Sequence, residues 1–332
     1  MKITPIILAA GQGTRMKSSL PKVLHCIGGK PLIQWALDAA GRVGSETAIV
    51  VVGHGADAVR AAVGSRALFA VQEKQLGTAD AVRAAAGLVE GQTDLVVVTY
   101  ADMPLLSGDT LEKLTALQLK NSGPFSMLTV TFEDSHGFGR VVRGADGSVT
   151  AIVEEAQATP EQLEIHELNA GVYCFRSDWL WAALRAVKVS PKGEYYLTDL
   201  VEMASSAGLR VEALALDDPY EAMGINNRQH LAEAEAILRT RINQHWLLAG
   251  VTMIDPEATY IEPDVQIGRD SVLYPNTVLR GKTVVGEGCI LGPNTVLTDA
   301  QIGANSRIIQ SYVASRALPE NSSVGPFEVH RE

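Results

Sequence analysis

Residues 261–297 read IEPDVQ-IGRDSV-LYPNTV-LRGKTV-VGEGCI-LGPNTV-L, and this stretch decides the second half of the fold. Ile261, Ile267, Leu273, Leu279, Val285, Leu291 and Leu297 are spaced six apart, and the fifth position of each hexad is usually small. Neither the 3.6 period of a helix nor the 2 of a strand produces this spacing. It fits a triangular parallel β-helix with one hexad per face and three hexads per coil. The register slips by one at Ile302 and resumes through Ile308, so about three coils are expected, ending near residue 313. The tail PENSSVGPFEVHRE shows only weak periodicity. So short a solenoid exposes its ends and faces, and self-association is expected.

Upstream the pattern changes twice. Leu231 to Leu248 is one long helical run rich in Ala, Leu, Glu and Arg, stopped by Gly250, and reads as a connecting helix. Before it, short β-branched runs alternate with helical patterns. Strands are expected at residues 6–8, 48–52, 68–71, 95–99 and 126–131, and helices at 31–40, 57–63, 78–88 and 109–120. This alternation argues for an α/β, Rossmann-like sheet, mixed or mostly parallel, with helices on both faces. Ligands in such sheets sit beyond the carboxyl ends of the strands. The expected division is 1–229, a connecting helix over 230–250, and 251–332.

Composition sets further bounds. The 332 residues carry 28 basic and 38 acidic side chains, a formal charge of −10, without a long Lys/Arg run. That disfavours sequence-independent binding to DNA or RNA and to membrane surfaces. No apolar run reaches the ~20 residues of a bilayer span. The apolar start of MKITPIILAAGQG reads as a buried first strand rather than a signal peptide. Cys26, Cys174 and Cys289 are far apart and form no CxxC, so neither a disulfide framework nor a zinc site is expected. A reducing cytoplasm is the default compartment, and each cysteine reads as a small buried apolar residue.

The residues that carry chemistry lie in the first part. In Leu8-Ala-Ala-Gly-Gln-Gly-Thr-Arg-Met16, Gly11 and Gly13 let backbone amides approach an anionic or flat ligand without a Cβ in the way. Arg15 and Lys22 supply cations for phosphate oxygens. The Walker ending and the third Rossmann glycine are both absent. His54 and His136 have no nucleophile paired with them and read as loop histidines.

The run LAAGxGTRM followed by LPKVL resembles the signature of sugar-1-phosphate nucleotidylyltransferases. It is most similar to the N-acetylglucosamine-1-phosphate uridylyltransferase half of the bifunctional bacterial enzyme. The likeness covers about residues 5–250. It continues through Gln72-Glu-Lys-Gln-Leu-Gly-Thr78, Tyr100-Ala-Asp102-Met-Pro, Gly137-Phe-Gly-Arg140, Ile152-Val-Glu154, Leu168-Asn-Ala-Gly171, Gly193-Glu-Tyr-Tyr-Leu-Thr-Asp199 and Gly224-Ile-Asn-Asn-Arg228. The resemblance implies transfer of UMP from UTP to N-acetylglucosamine-1-phosphate, giving the cell-wall precursor UDP-N-acetylglucosamine and pyrophosphate. It implies that Leu8, Ala10, Gly11 and Gly13 hold the nucleotide, with Gln72, Gly77 and Thr78 reading the uracil edge. An amide suits uracil, since both offer donors and acceptors. Arg15 and Lys22 would sit on the triphosphate as the catalytic cations. Tyr100, Gly139, Glu154, Asn169, Tyr196 and Thr198 would surround the sugar. Asp102 and Asn226 would bind Mg²⁺, which prefers a few oxygen ligands besides phosphate.

Plainer readings stand beside these. Asp102 ends a strand and could be a turn aspartate. Asn226 could cap the helix starting near Arg228. Glu154-Glu155 could mark a solvated face, and Gln72 could lie on the surface. Two departures from the family pattern matter. Ala101 stands where relatives carry Gly, and its methyl is expected to crowd the sugar or phosphate. The relatives also continue their left-handed β-helix for several coils that carry acetyl-CoA chemistry. No acetyltransferase activity is therefore expected here, and the coils present are expected to serve a homotrimer or stability.

Overall fold

The computed structural model describes residues 1–44, 46–133 and 137–331; His136 lies outside the described residues. The chain divides into two units. One comprises Met1–His25 and Pro31–His230, the other Cys26–Lys30 and Leu231–Glu332.

In the first unit the sheet is built from β1 (Ile3–Ala9), β2 (Ala48–Val52), β3 (Ala67–Val71), β4 (Leu95–Tyr100), β5 (Phe125–Thr131), β6 (Arg140–Arg143), β7 (Val149–Val153), β8 (Glu167–Arg176) and β9 (Val211–Ala215). The main path runs β9-β5-β8-β4-β1-β2-β3, with β6 pairing β8 and β7. Pairing is parallel from β4 through β1 and β2 to β3, and between β9 and β5. β8 is antiparallel to both β4 and β5, so the sheet is mixed. Neighbouring strand residues face opposite sides. Ile6 and Leu8 join a core with Val82, Leu180, Trp181 and Leu200, while Ile7 and Ala9 join another with Ile33, Leu37 and Val59. Burial on both faces explains why the strands read as continuous apolar runs rather than alternating ones.

The helices that cover these faces are α1 (Leu32–Gly41), α2 (Ala56–Val63), α3 (Thr78–Ala84), α4 (Gly108–Lys120), α5 (Ser177–Ala186) and α6 (Asp199–Ser206). The helix expected over 78–88 is interrupted at Ala85, and a separate turn follows at Ala86–Val89. The long helix α7 is continuous over Arg228–Leu248.

The second unit is a left-handed parallel β-helix with three sheets of five, five and four strands. Each strand pairs with its equivalent one coil later. Thr259 lies opposite Thr277 and Val278 opposite Val296, eighteen residues on. The spacing then shortens to seventeen at Ile290 and Arg307, and to sixteen at Gln301 and Ala317. The coils do not end near 313, as the weak periodicity suggested. Strands continue at Ala317–Leu318, Ser323–Val324 and Val329–His330. Shortened hexads hide the six-residue period there without stopping the coil.

The hexad preferences have direct causes. Every anchor from Ile261 to Leu297 is buried in one apolar column. The fifth positions are small because their side chains turn back onto backbone inside the column. Ser271 Oγ donates to Gly286 O (3.0 Å), Thr277 Oγ1 to Tyr274 O (2.7 Å) and Thr283 Oγ1 to Arg280 O (2.6 Å). This satisfies hydroxyls that burial would otherwise penalise. The glycine at 286 has a different cause. A Cβ there would stand 2.6 Å from Ala304 N on the next coil, closer than real contacts permit. Cys174 and Cys289 are buried as expected, but Cys26 is exposed, because the short ladder Cys26–Ile27 with Lys30–Pro31 turns its first side chain outward.

Candidate active site

The loops that leave the carboxyl ends of β1, β3 and β4 converge on two adjoining cavities in the first unit. The first, about 270 Å³, is walled by the β1 end and glycine loop (Leu8, Ala10, Gly11), by Lys22, and by Gln72, Gly77 and Thr78. The second, about 260 Å³, takes its wall from Gly139, Glu154, Asn169 and Gly171. Tyr100 and Asp102 line both, so the two cavities meet at the end of β4.

The glycine loop keeps its shape through one anchor and one close approach. Met16, closing the turn Thr14–Met16, is only 1% exposed. Gly13 adopts φ 62°, and a Cβ on it would stand 2.7 Å from Lys22 Cβ. Gly13 therefore packs the loop against the Lys22 turn instead of lining either cavity. At Gly11 a Cβ would meet open space, so its lack of a side chain leaves room on the cavity side.

Four charged and amide groups are linked around Asp102, where the cavities meet, although Arg15 and Asn226 themselves line neither cavity. Lys22 Nζ pairs with the Asp102 carboxylate and donates to Asn226 Oδ1 at 3.3 Å. Arg15 Nη2 donates to the same Oδ1 at 3.0 Å. The Lys22 and Asp102 side chains are 14% and 20% exposed, so the pair is partly shielded from water. Asp102 is thus not merely a turn residue, although its carbonyl also accepts from Ile225 N (2.8 Å) and holds the Asn226 segment beside it. Nor does Asn226 cap α7. That bond comes from Asn227 Oδ1, which accepts from His230 N at 2.9 Å, and it leaves Asn226 aimed at the two cations.

Gln72 is 5% exposed and so is not a surface residue. Its Nε2 donates to Gly77 O (3.1 Å) and to Asp80 Oδ2 (2.8 Å). Thr78 Oγ1 accepts from Leu197 N at 3.0 Å, and Tyr195 N donates to Leu76 O at 2.7 Å. The Gly193–Asp199 segment is therefore the outer support of the Gly77 loop. Tyr196 and Thr198, expected at the sugar, line neither cavity; Glu194 of that segment lines the first.

On the other side, Asn169 Nδ2 donates to Tyr173 Oη (2.9 Å) and its Oδ1 accepts from Gly171 N (2.9 Å). Much of this amide is spent bracing β8, which leaves one Nδ2 hydrogen for a ligand. Glu154 is exposed yet stands at the rim, its Oε1 3.4 Å from where a Gly139 Cβ would lie. Burial, and then the neighbouring Asp102 charge, push the Tyr100 phenol well above its ordinary pKa, so it keeps its proton at neutral pH. Ala101 does not crowd either cavity. It is fully buried in the core on the α1 and α2 side, and its amide donates to Leu8 O at 3.0 Å.

Sequence reasoning missed a second pair. His25, 6% exposed, accepts at Nδ1 from Arg228 Nη1 at 3.1 Å, because a guanidinium can only donate. Burial, and then the guanidinium, hold its pKa below the ordinary histidine value. The bond ties the turn that carries Lys22 to the segment that carries Asn226. Arg228 closes the Gly224–Arg228 motif and His25 directly follows LPKVL, but nothing in their spacing, 203 residues apart, could have paired them. His54 is an exposed loop histidine, as expected. Among the described residues, no three His, Cys, Asp or Glu side chains cluster as a metal site.

Comparison with known proteins agrees with this layout. Residues 5–194 match the model of the MobA-like NTP transferase domain, and residues 264–299 match six repeats of the bacterial transferase hexapeptide. The bifunctional protein GlmU of Halalkalibacterium halodurans is 42% identical over 323 residues, spanning 97% of this chain and 71% of that one. The bifunctional protein GlmU of Heliobacterium modesticaldum is 44% identical over 98% of this chain and 71% of its own length. That of Geobacillus thermodenitrificans is 43% identical over 97% and 70%. A nucleotidyltransferase unit with its charged groups at the strand ends, followed by hexapeptide coils and matched over nearly all of its own length to about 70% of these relatives, places the chain in the GlmU family.

Proposed function

We propose that the two adjoining cavities take UTP and N-acetylglucosamine-1-phosphate, and that their junction at Tyr100 and Asp102 is where UMP passes from one to the other. The observation that carries this reading is the gathering of Lys22, Arg15, Asp102 and Asn226 at that junction. A single cavity would suit one ligand. Two cavities sharing a charged wall suit two polyanions that must be brought into line.

The side chains then have separable tasks. Gln72, Gly77 and Thr78 meet the base, and Leu8, Ala10 and Gly11 the nucleoside. Lys22 and Arg15 offset the repulsion between the triphosphate and the incoming phosphate. Gly139, Glu154 and Asn169 hold the sugar, and Tyr100, which keeps its proton, donates across the junction. The attacking sugar-phosphate oxygen is already ionised at neutral pH, so no general base is needed. Attack on the α-phosphorus releases pyrophosphate without a covalent enzyme intermediate. Alignment and electrostatic stabilisation supply the catalysis.

A magnesium ion fits the donors present. Asp102 and Asn226 offer one carboxylate and one amide oxygen at a spot that already draws two cations. These two residues would hold it, and when bound it would neutralise charge on the phosphate oxygens.

The test is pyrophosphate release with Mg²⁺ over UTP, dTTP, CTP and GTP against N-acetylglucosamine-1-phosphate and glucose-1-phosphate. Release concentrated on UTP with N-acetylglucosamine-1-phosphate is expected. Preference for another pair, or none, would overturn the substrate reading. No helix among the described residues is long and apolar enough to cross a membrane, and a cytoplasmic setting, where UTP is available, agrees with the proposal. Hexapeptide coils with outward apolar residues such as Ile254, Tyr260, Tyr274 and Ile290 support assembly as a homotrimer. Sedimentation at three times the chain mass is expected, and a monomer at micromolar concentration would overturn it.

A further inference from the structure

We propose that Asp80 sets the orientation of the Gln72 amide and thereby makes the site choose uracil over cytosine. The proposal rests on the reading that this cavity takes the nucleotide base.

An amide side chain can be turned either way, and only its partners decide which end faces a ligand. Gln72 meets two oxygens on its inner side, Gly77 O at 3.1 Å and Asp80 Oδ2 at 2.8 Å. A carbonyl oxygen and a carboxylate oxygen both only accept. Turning the amide over would set Oε1 against both, so Nε2 is locked inward. The bond to Asp80 is charge-assisted and is the stronger of the two. Both Nε2 hydrogens are then used. Oε1 has no internal hydrogen bond among the described residues, and it is not one of their buried unpartnered atoms, so it is open to the cavity side.

Gln72 therefore presents an acceptor to the base. In a uridine nucleotide N1 carries the ribose, so the only N–H of the ring is at N3. An acceptor facing that edge can take N3–H. Cytosine carries a lone pair at N3 instead, and Oε1 opposite it is repelled while both groups lose water. Freed from Asp80, the amide can turn and offer Nε2 to the cytosine N3. Asp80 is thus a positioning residue. It lines neither cavity, and its effect falls on which base is accepted. Thymine has the same N3–H, so this device leaves dTTP to be judged by other contacts.

The experiment measures kcat/KM for UTP and for CTP, with N-acetylglucosamine-1-phosphate and Mg²⁺, in the full chain and in Asp80→Asn, Asp80→Glu and Gln72→Ala. The UTP:CTP ratio is the readout, because it cancels any difference in the fraction of folded enzyme. Asp80→Asn is expected to lower the ratio at least about tenfold, the order of one hydrogen bond to a charged group. Asp80→Glu, which retains a carboxylate, is expected to stay nearer the wild-type ratio. Should Asp80→Asn fold poorly, Asp80→Ser reads the same ratio. If Gln72→Ala lowers the ratio but the Asp80 variants leave it within about twofold, the Asp80 proposal alone is overturned. If Gln72→Ala also leaves it unchanged, the base-reading role of this cavity falls with it.

Discussion

Replacing Lys22 with alanine is expected to lower kcat about 10³-fold while the protein still unfolds in one cooperative transition near the wild-type temperature; Asp102→Ala is expected to do the same. The size follows from what each group faces. Lys22 lines the first cavity, and its Nζ lies on the carboxylate of Asp102, which lines both, and 3.3 Å from Asn226 Oδ1. A fixed cation aimed at phosphate oxygens in a partly dehydrated cleft stabilises charge without reorganising. Removal of one such preorganised group typically costs 10²–10³ in rate, and the upper end applies where two polyanions must approach. Asp102 pairs with Lys22 and, on the proposed reading, would also offer its oxygens to Mg²⁺. The cost to the fold is smaller, because Arg15 remains beside Asn226 and the pair is not fully cut off from water. Steady-state rates with saturating UTP and sugar phosphate, alongside thermal melts, separate the two effects. Turnover within about tenfold of wild type in either variant would overturn the site assignment.

Parts of this arrangement were legible in the sequence for definite reasons. The hexads were legible because a β-helix coil repeats its contacts, so each anchor is constrained in the same way and the period survives in the letters. The same logic fails after Leu297. There the hexads lose a residue at corners such as Asp299 and Ser315, which take φ of 50° and 49°. The coil continues because strand pairing is a matter of space and not of count. The parallel strands were legible from local apolar runs. The reversal at β8 was not, because its partners lie some forty to eighty residues earlier.

The candidate site divides along the same line. Residues in compact motifs (Leu8 to Lys22, Gln72 to Thr78, Tyr100 to Asp102) do come together at the strand ends. What those motifs could not give is which neighbour takes which hydrogen bond. Asn226 and Asn227 are adjacent and chemically identical, yet one caps α7 and the other faces two cations. Ala101 sits between two cavity-lining residues but points to the opposite face of the sheet, since β4 ends there with its alternation intact. Tyr196 and Thr198 belong to a segment whose backbone holds Gly77 and Thr78 in place. Matching a motif locates a segment; only the hydrogen bonds separate the residues that touch a ligand from those that hold others in position.

That last contact yields the second large effect. Gly77→Ala is expected to lower kcat/KM for UTP about 10²-fold and to lower the melting temperature as well. Gly77 has φ +105°, a conformation in which a side chain is strained, at a cost on the order of 1–3 kcal/mol. Space adds to the strain. A Cβ there would stand 2.4 Å from Tyr195 O and 2.8 Å from Tyr195 N, both backbone atoms held by hydrogen bonds to Ala79 N and Leu76 O. Neither can swing aside as a side chain would, so the two segments must separate. Separation carries Gly77 O away from Gln72 and loosens Thr78 from Leu197, and both lie on the wall of the first cavity. A displacement near 1 Å in a positioning group is enough for a loss of about 10²-fold. The damage is expected to fall on UTP: KM for UTP rises, while KM for the sugar phosphate, whose cavity shares only Tyr100 and Asp102 with this wall, changes little. Equal loss for both substrates would mean that the Gly77 loop supports the fold at large, and an unchanged UTP KM would mean that the loop does not meet the nucleotide.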